Sequence, residues 1–317
     1  DELPCGVNIA DINVKVLLYA DDIVILSETP AELQSMIDVL YRYCLTWGLN
    51  ANLSKSKIMV FRSGTRISRN LNWHFGEENI EIVNSYRYLG VDIMYNLSFK
   101  KHLKNKLAVS KLAINATWSN YIKNPNISKE NKLKIFDAAS RSIMCYAAQI
   151  WGYQKYDDVE KLLRFFVKKM LYLPETTPNY MIHLETGLDS LFTSTLKLHF
   201  CYINKVLNMN QNRLPNIIAK KVIELNVFWA KDWSTLCEFV QFNRIDSYPL
   251  CTHWKSIIDL LKTKEREDNM MSATNSQFHD LYSELNYNSA TLLARFSSRI
   301  TGLLVKARGG LLNINAR

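Results

Sequence analysis

The chain has 317 residues, 48% of them hydrophobic and 22% charged, with a formal net charge of +9. That apolar fraction can build a core, so general disorder is excluded, and no apolar run approaches the roughly 18 residues of a membrane helix. The 6 cysteines form no CxxC pair, which removes a zinc ribbon and a small disulfide framework from consideration and weakly favours a reducing compartment.

The first 95 or so residues mix strands with one helix. Val14–Ala20 and Ile23–Leu26 are β-branched-rich runs separated only by Asp21-Asp22, a pattern that predicts a tight hairpin with its acids at or near the tip. A helix follows with clear borders: Thr29 as N-cap, Pro30 in the first position, Glu32 completing a capping box, and Gly48 as the stop. Its stripe of Leu33, Met36, Ile37, Leu40, Tyr41 and Cys44 has helical period. Strands are expected again at Lys57–Phe61, Leu71–Phe75, Ile80–Val83 and Tyr86–Ile93, with a turn at Gly76–Asn79.

From about Leu97 the pattern is helical. Ser98 is placed to cap a helix toward Tyr121, Ser128 another through Trp151, and Asp157-Asp158 open a third with Leu162, Leu163, Phe166, Val167, Met170 and Leu171 on its core face. The polar stretch Thr263–Ser276 reads as a flexible linker. Residues 95–173 contain 15 Lys/Arg against 5 Asp/Glu, a local net of +10 against +9 for the whole chain, so the excess is concentrated there. A phosphate backbone would be drawn to such a block, although solvated helix faces produce the same composition. Trp118, Tyr121 and Trp151 lie within it, as candidate stacking surfaces or, more commonly on helices, as core.

Adjacent carboxylates between apolar strands repel one another, and one would ordinarily take up a proton. A divalent cation reverses that logic by holding both ionised. An Asp-rich turn is the plain alternative. The surroundings decide between them. Tyr19-Ala20-Asp21-Asp22, with Val16-Leu17-Leu18 before it and Ile23-Val24-Ile25-Leu26-Ser27 after, resembles the palm hairpin of reverse transcriptases. The run from Trp47-Gly48-Leu49-Asn50 to Lys55-Ser56-Lys57 is similar to the next motif of that family, and Tyr86-Arg87-Tyr88-Leu89-Gly90-Val91 to the Tyr-Leu-Gly strand of jockey-like non-LTR retrotransposons. Leu97–His102 matches the helix entry expected there. Farther on, Cys145–Gly152, Leu171–Pro178 and His183–Leu188 resemble segments behind the thumb in the same elements.

The resemblance implies an α+β fold: a partial palm with antiparallel strands and one helix over residues 1–96, a basic, thumb-like helical region over 97–173, and a helical C-terminal region over 174–317. It implies an RNA-directed DNA polymerase acting by two-metal nucleotidyl transfer on an RNA template and a DNA primer, with deoxynucleoside triphosphates and Mg2+, inside the cell in nucleus or cytoplasm and without a membrane. Asp21 would ligate the cation directly and Asp22 would add charge or partial ligation. Lys55, or by the same spacing Lys57, would serve the departing pyrophosphate. Tyr19, Tyr88 and Gly90 would position the primer, while Lys100, Lys101, Lys104 and Lys106 would hold phosphates, joined by Lys111, Lys132, Lys134, Arg141, Arg164, Lys168 and Lys169. His102 is expected to pack or touch phosphate rather than catalyse. The family places a further catalytic aspartate on an earlier strand, and none of Asp1, Glu2 and Asp11 stands in that context. With a first residue other than Met, the sequence reads as a fragment of a longer frame, inactive as a polymerase by itself. The alternative is a retroelement-derived nucleic-acid-binding protein without catalysis.

Overall fold

In the computed structural model, which describes residues 3–9, 12–64, 66–67, 70–242, 250–276 and 296–312, the chain divides into two units, Asp1–His102 and Leu103–Arg317. The acids Asp1, Glu2 and Asp11 lie outside the described residues.

The first unit is built from local pairings. Antiparallel ladders join β1 (Val7–Ile9) to β2 (Ile12–Val14), β3 (Val16–Tyr19) to β4 (Asp22–Ile25), β5 (His74–Phe75) to β6 (Glu78–Asn79), and β7 (Ser85–Tyr88) to β8 (Val91–Met94). Helix α1 (Pro30–Trp47) starts as its sequence dictates: Thr29 Oγ1 accepts from Glu32 N while Glu32 Oε2 accepts from Thr29 N, and Gly48 closes the helix in the left-handed region. Met36, Ile37 and Cys44 from the anticipated stripe are buried. Ile37 joins Ile58, Trp73 and Ile80 in a small core. Gln34 binds the strand beside it as another backbone would, donating to His74 O at 2.9 Å and accepting from His74 N at 3.0 Å. The Trp73 indole donates to Pro30 O, which fixes the start of the helix over this core.

Three expectations for this unit are corrected. Lys57–Phe61 is not a ladder strand; only Ile58 bridges, in parallel, to Ile82. The turn near Gly76 is shorter than read, because Glu78 and Asn79 already pair with Phe75 and His74. Tyr86–Ile93 is not one strand but a hairpin folded at Leu89-Gly90, where both residues have positive φ (46° and 78°). Two positive φ angles define the tight turn whose twist suits a two-residue hairpin, and glycine lowers the strain of one of them.

The second unit is helical. Its helices are α2 (Lys100–Thr117, entering from the first unit), α3 (Lys129–Phe136), α4 (Ser142–Met144), α5 (Ala148–Trp151), α6 (Asp157–Met170), α7 (Asn179–Thr186), α8 (Leu191–Leu207), α9 (Leu214–Glu224), α10 (Trp229–Phe239), α11 (Trp254–Thr274) and α12 (Ser298–Arg308). Wider π-helical turns follow α2 at Trp118–Ile122 and α3 at Asp137–Arg141. The core face foreseen for α6 is buried throughout, and Phe166 stacks on Phe136 with centroids 4.4 Å apart. Helix α8 is central: Phe192, Leu196, Phe200 and Ile203 pack with Trp233, Leu236, Ile257 and Leu261. Glu160, buried on α6, accepts from Leu191 N and Phe192 N, so a carboxylate sits on the positive end of α8. Burial still raises the Glu160 pKa, because desolvation outweighs those two bonds.

Two further corrections fall here. The helix expected from Ser128 to Trp151 breaks at Cys145–Ala147, with Ala147 at φ 57°. The break lets the Trp151 indole donate to Tyr146 O and lets Gly152 approach α8 so closely that an added Cβ would collide with Thr195 O. Thr263–Ser276 is not a linker: α11 runs through it, with Lys264 bridging to Glu267 and Asp268 on its exposed side. Charged residues at helical spacing resemble a linker in composition while favouring helix.

Helix α12 is bolted down by chemistry far away in sequence. Lys129 Nζ donates to Thr301 Oγ1 and Lys132 Nζ to Ser298 Oγ, while Arg308 pairs with the buried Glu185 at 3.0 Å. Gly302 lies so close to the Leu171 carbonyl that a Cβ would overlap it.

Two outcomes test this packing. Gly152→Ala forces α5 from α8, and a Tm drop matching about 2 kcal/mol or more is expected by calorimetry. His199 is buried among Tyr153, Phe200, Trp229 and Trp233, and its Nδ1–H donates to Gln149 O. Desolvation lowers its pKa from 6.5 to about 4. The imidazole is therefore neutral in the fold, and the unfolded chain takes up its proton first. Stability present above pH 6.5 is lost as pH falls toward 4, by up to about 3 kcal/mol from this group. In urea titrations, His199→Gln should be less stable at pH 7 and show a flatter decline over that window.

Candidate nucleic-acid and metal site

The acidic hairpin forms where the sequence placed it. Tyr19 pairs with Asp22, Leu18 with Ile23, Leu17 with Val24 and Val16 with Ile25, which leaves Ala20-Asp21 as the two-residue turn. Asp22 is thus the first residue of β4 and Asp21 stands on the tip. Ala20 has φ 54°, a left-handed conformation that costs a non-glycine residue about 1–2 kcal/mol. Alternation puts Leu17, Tyr19, Asp22 and Val24 on one face of the ribbon and Val16, Leu18, Ile23 and Ile25 on the other. Both faces are open, with Leu18 70%, Tyr19 61% and Ile23 50% exposed. Among the described residues, neither Asp21 nor Asp22 meets a hydrogen-bond donor or a cation of the chain.

Two adjacent, unengaged carboxylates are a hard-oxygen donor set. Among the described residues no group of three His, Cys, Asp or Glu side chains is assembled, but magnesium is commonly held by one or two carboxylates together with substrate phosphates. Asp21 and Asp22 fit that share of a site.

Lys55 lies on a separate turn, its backbone N–H donating to Asn52 O and its carbonyl accepting from the Tyr86 hydroxyl at 3.0 Å. Its exposed ammonium has no partner among the described residues, whereas Lys57 is paired with Glu81 at 2.9 Å. No hydrogen bond or ion pair joins Lys55 to the hairpin acids among those residues. Tyr88 sits half-buried at the end of β7, and Gly90 is the second turn residue, not a bulge. His102 is fully buried and accepts from Asp92 N through Nδ1, so it orients β8 and cannot reach phosphate.

Between Asp92 and Glu130 there is no acidic residue, while Lys100, Lys101, Lys104, Lys106, Lys111, Lys123 and Lys129 all fall in that interval. The first turn of α2 carries Lys100 and Lys101 and no acid. Cations there oppose the helix dipole, by about 0.3–1 kcal/mol each. Lys100 and Lys104 are exposed, Lys101 donates to Ser85 Oγ, and Lys106 lies 4.2 Å from the Tyr146 ring centre. The remaining basic positions scatter. Lys132 is buried against α12 and leaves the clamp it was assigned to; Lys134 pairs with Glu130, Arg141 with Asp137, and Arg164 with Asp157. Of the aromatics, Trp151 is core, while Tyr121 is exposed and Trp118 half-buried. Sequence reading missed Phe165 and Tyr172, which only the meeting of α2 and α6 brings beside Trp118. No local pattern signalled either.

Residues 4–93, which hold the acid-tipped hairpin and the capped helix, match the family model for Reverse transcriptase (RNA-dependent DNA polymerase). This N-terminal region is a reverse transcriptase domain segment. More particularly, the chain is distantly homologous to non-LTR retrotransposon reverse transcriptases. It is 25% identical over 184 residues to the RNA-directed DNA polymerase from mobile element jockey of Drosophila funebris, covering 55% of this chain and 19% of that protein. It is 27% identical over 119 residues to the Retrovirus-related Pol polyprotein from type-1 retrotransposable element R1 2 of Nasonia vitripennis, covering 33% of this chain and 28% of that protein. The matched part thus spans about a fifth to a quarter of these relatives. No described helix is long and apolar enough to cross a membrane.

A metal titration checks the hairpin. Mn2+ should broaden the amide resonances of residues 20–23 at millimolar concentration, and Asp21→Asn with Asp22→Asn should abolish the effect without altering the Tyr19–Asp22 pairing. Broadening that survives both substitutions would remove these acids from any cation site.

Proposed function

We propose that the chain is the rear of the palm, with the helical region behind it, of a non-LTR retrotransposon RNA-directed DNA polymerase. The observation that carries this reading is the pair of uncompensated carboxylates at the tip of β3–β4. Asp21, on the turn itself, would be the direct ligand, and Asp22, at the head of β4, would contribute charge beside it. Bound there with an incoming nucleotide, magnesium would neutralise charge on the phosphates during nucleotidyl transfer. Ala20 presents no side chain beyond Cβ, leaving room for a primer end next to Tyr19. Lys55 is the better candidate for the pyrophosphate, because its ammonium is unengaged while Lys57 is held by Glu81; it would donate a proton or steady charge as that group departs.

The Leu89-Gly90 turn and Tyr88 would lie against primer backbone. Lys100, Lys101, Lys104 and Lys106, on an acid-free helix, would hold phosphates of the template–primer duplex in the manner of a thumb, without reading its sequence. An RNA template, a DNA primer and deoxynucleoside triphosphates are the partners of this reading, in the nucleus or cytoplasm. The two-metal reaction requires another carboxylate besides this hairpin, and among the described residues none is assembled with Asp21 and Asp22. The same basic helix would serve a non-catalytic nucleic-acid-binding protein of retroelement origin, in which the acids have no task.

Primer extension on an RNA template with Mg2+ and nucleotides should give no product with this chain alone; product would overturn that expectation. Filter binding to the RNA–DNA hybrid should persist within about twofold in Asp21→Ala and Asp22→Ala. Replacing Lys100, Lys101, Lys104 and Lys106 with Gln should weaken binding and shallow the salt dependence by about 0.9 in log–log slope for each phosphate no longer neutralised. An unchanged slope would remove the helix from the interface.

A further inference from the structure

In the second unit, α2 ends in the π-turn Trp118–Ile122 and meets the C-terminal half of α6. Lys169 lies 4.7 Å from the Trp118 ring centre and 5.6 Å from that of Phe165, and Lys111 lies 5.0 Å from the Phe165 ring centre. Tyr172 meets Trp118 edge to face with centroids 6.1 Å apart. The result is a row of rings and ammonium groups whose contacts join residues 51 to 54 positions apart in sequence.

Three features separate this row from ordinary core. Its rings are in contact with water: Tyr172 is 42% exposed, the nearby Tyr121 48%, and Trp118 is half-buried. Among the described residues, the cations within it meet no carboxylate. Lys169 donates only to Asn115 Oδ1 and Lys111 faces only the Phe165 ring. The position of Lys169 in the last turn of α6 is explained by the helix dipole, but Lys111 stands in mid-helix on an element without any acid. Finally, the backbone is held in unfavourable geometry at both aromatic positions. Trp118 opens a π-helical turn, a rare form found often at functional sites, and Tyr172 has φ 56°, where a bulky side chain is strained.

Aromatic faces with interleaved, unneutralised ammonium groups match the chemistry of an unpaired polynucleotide strand, whose bases expose π-faces and whose phosphates lie a few ångströms away. A duplex hides its base faces and would gain only from the lysines. We propose that Trp118 and Tyr172, flanked by Lys111 and Lys169, form a stacking platform for single-stranded nucleic acid, distinct from the duplex-holding face assigned to α2. Only the partner's class rests on the reading given under Proposed function. The platform would hold template that has not yet been copied, or a single-stranded tail, by stacking rather than by base readout.

The test uses the 317-residue chain and fluorescence anisotropy with a labelled 20-mer of oligo(U) and, separately, a blunt RNA–DNA hybrid. Trp118→Ala and Tyr172→Asn, the latter chosen because Asn accepts the left-handed backbone, should each weaken oligo(U) binding about tenfold. The salt slope should stay unchanged, and hybrid affinity should move less than twofold. Lys169→Gln should instead lower the slope by about one, while Phe239→Ala, an exposed ring elsewhere in the unit, should change nothing. Circular dichroism verifies folding, and Tyr172→Asn alone decides the matter if Trp118→Ala does not fold. Wild-type oligo(U) affinity in the folded aromatic variants, or equal losses on oligo(U) and hybrid, would overturn the platform. Failure of the wild-type chain to bind hybrid, with oligo(U) binding still lost in Tyr172→Asn, would strike the duplex reading and leave the platform standing.

Discussion

Two negative charges held side by side without compensation are the constraint on which the remaining architecture depends. In water two unit charges about 4 Å apart repel by only about 1 kcal/mol, so the exposed hairpin tolerates Asp21 and Asp22 without a partner. The apolar residues around them point the other way. Leu17, Leu18, Tyr19 and Ile23 form a ribbon open on both faces, and a two-stranded ribbon is marginal in water. Covering that ribbon with more protein or with nucleic acid lowers the local dielectric and multiplies the repulsion. A bound cation offsets repulsion of that kind.

The positive charge obeys a complementary logic. In α6 the acids Asp157, Asp158 and Glu160 open the helix and Lys168 and Lys169 close it, as its dipole prefers. Helix α2 breaks the rule, with lysines at its start and no acid along its length. Such local cost without local return is what an external anion would offset. The buried lysines behave differently again. Lys129 and Lys132 face hydroxyls of α12, and desolvation with their mutual repulsion brings Lys129 down to about 8. Their task is to fasten the end of the chain, and a count of basic residues cannot distinguish it from phosphate binding.

The two units also differ in how they are specified. In the first, the strand ladders are short in sequence, and Gln34 and Trp73 tie α1 to the strands beyond it. In the second, single polar groups reach far, as when Glu160 caps α8 or Arg308 finds Glu185. Glycines there matter for close approach. Gly152 and Gly302 bring backbone against backbone, which links the Trp151-Gly152 motif to packing rather than to chemistry.

The sequence by itself determined what short-range physics controls: the Asp21-Asp22 hairpin, the limits of α1 through Thr29, Glu32 and Gly48, the buried stripe of α6, and the family likeness of the first 93 or so residues. Each depends on turn geometry, capping or a 3.6-residue period, all of which are written within a few positions. Tertiary structure alone decided where Tyr86–Ile93 folds back, why the helix after Ser128 breaks at Ala147, and that Thr263–Thr274 is helix. It alone paired Lys57 with Glu81, sent Trp151 and Lys132 inward, and set Tyr172 against Trp118. Those outcomes turn on which distant atoms share a volume, and burial, close approach and charge pairing across the chain leave no local trace.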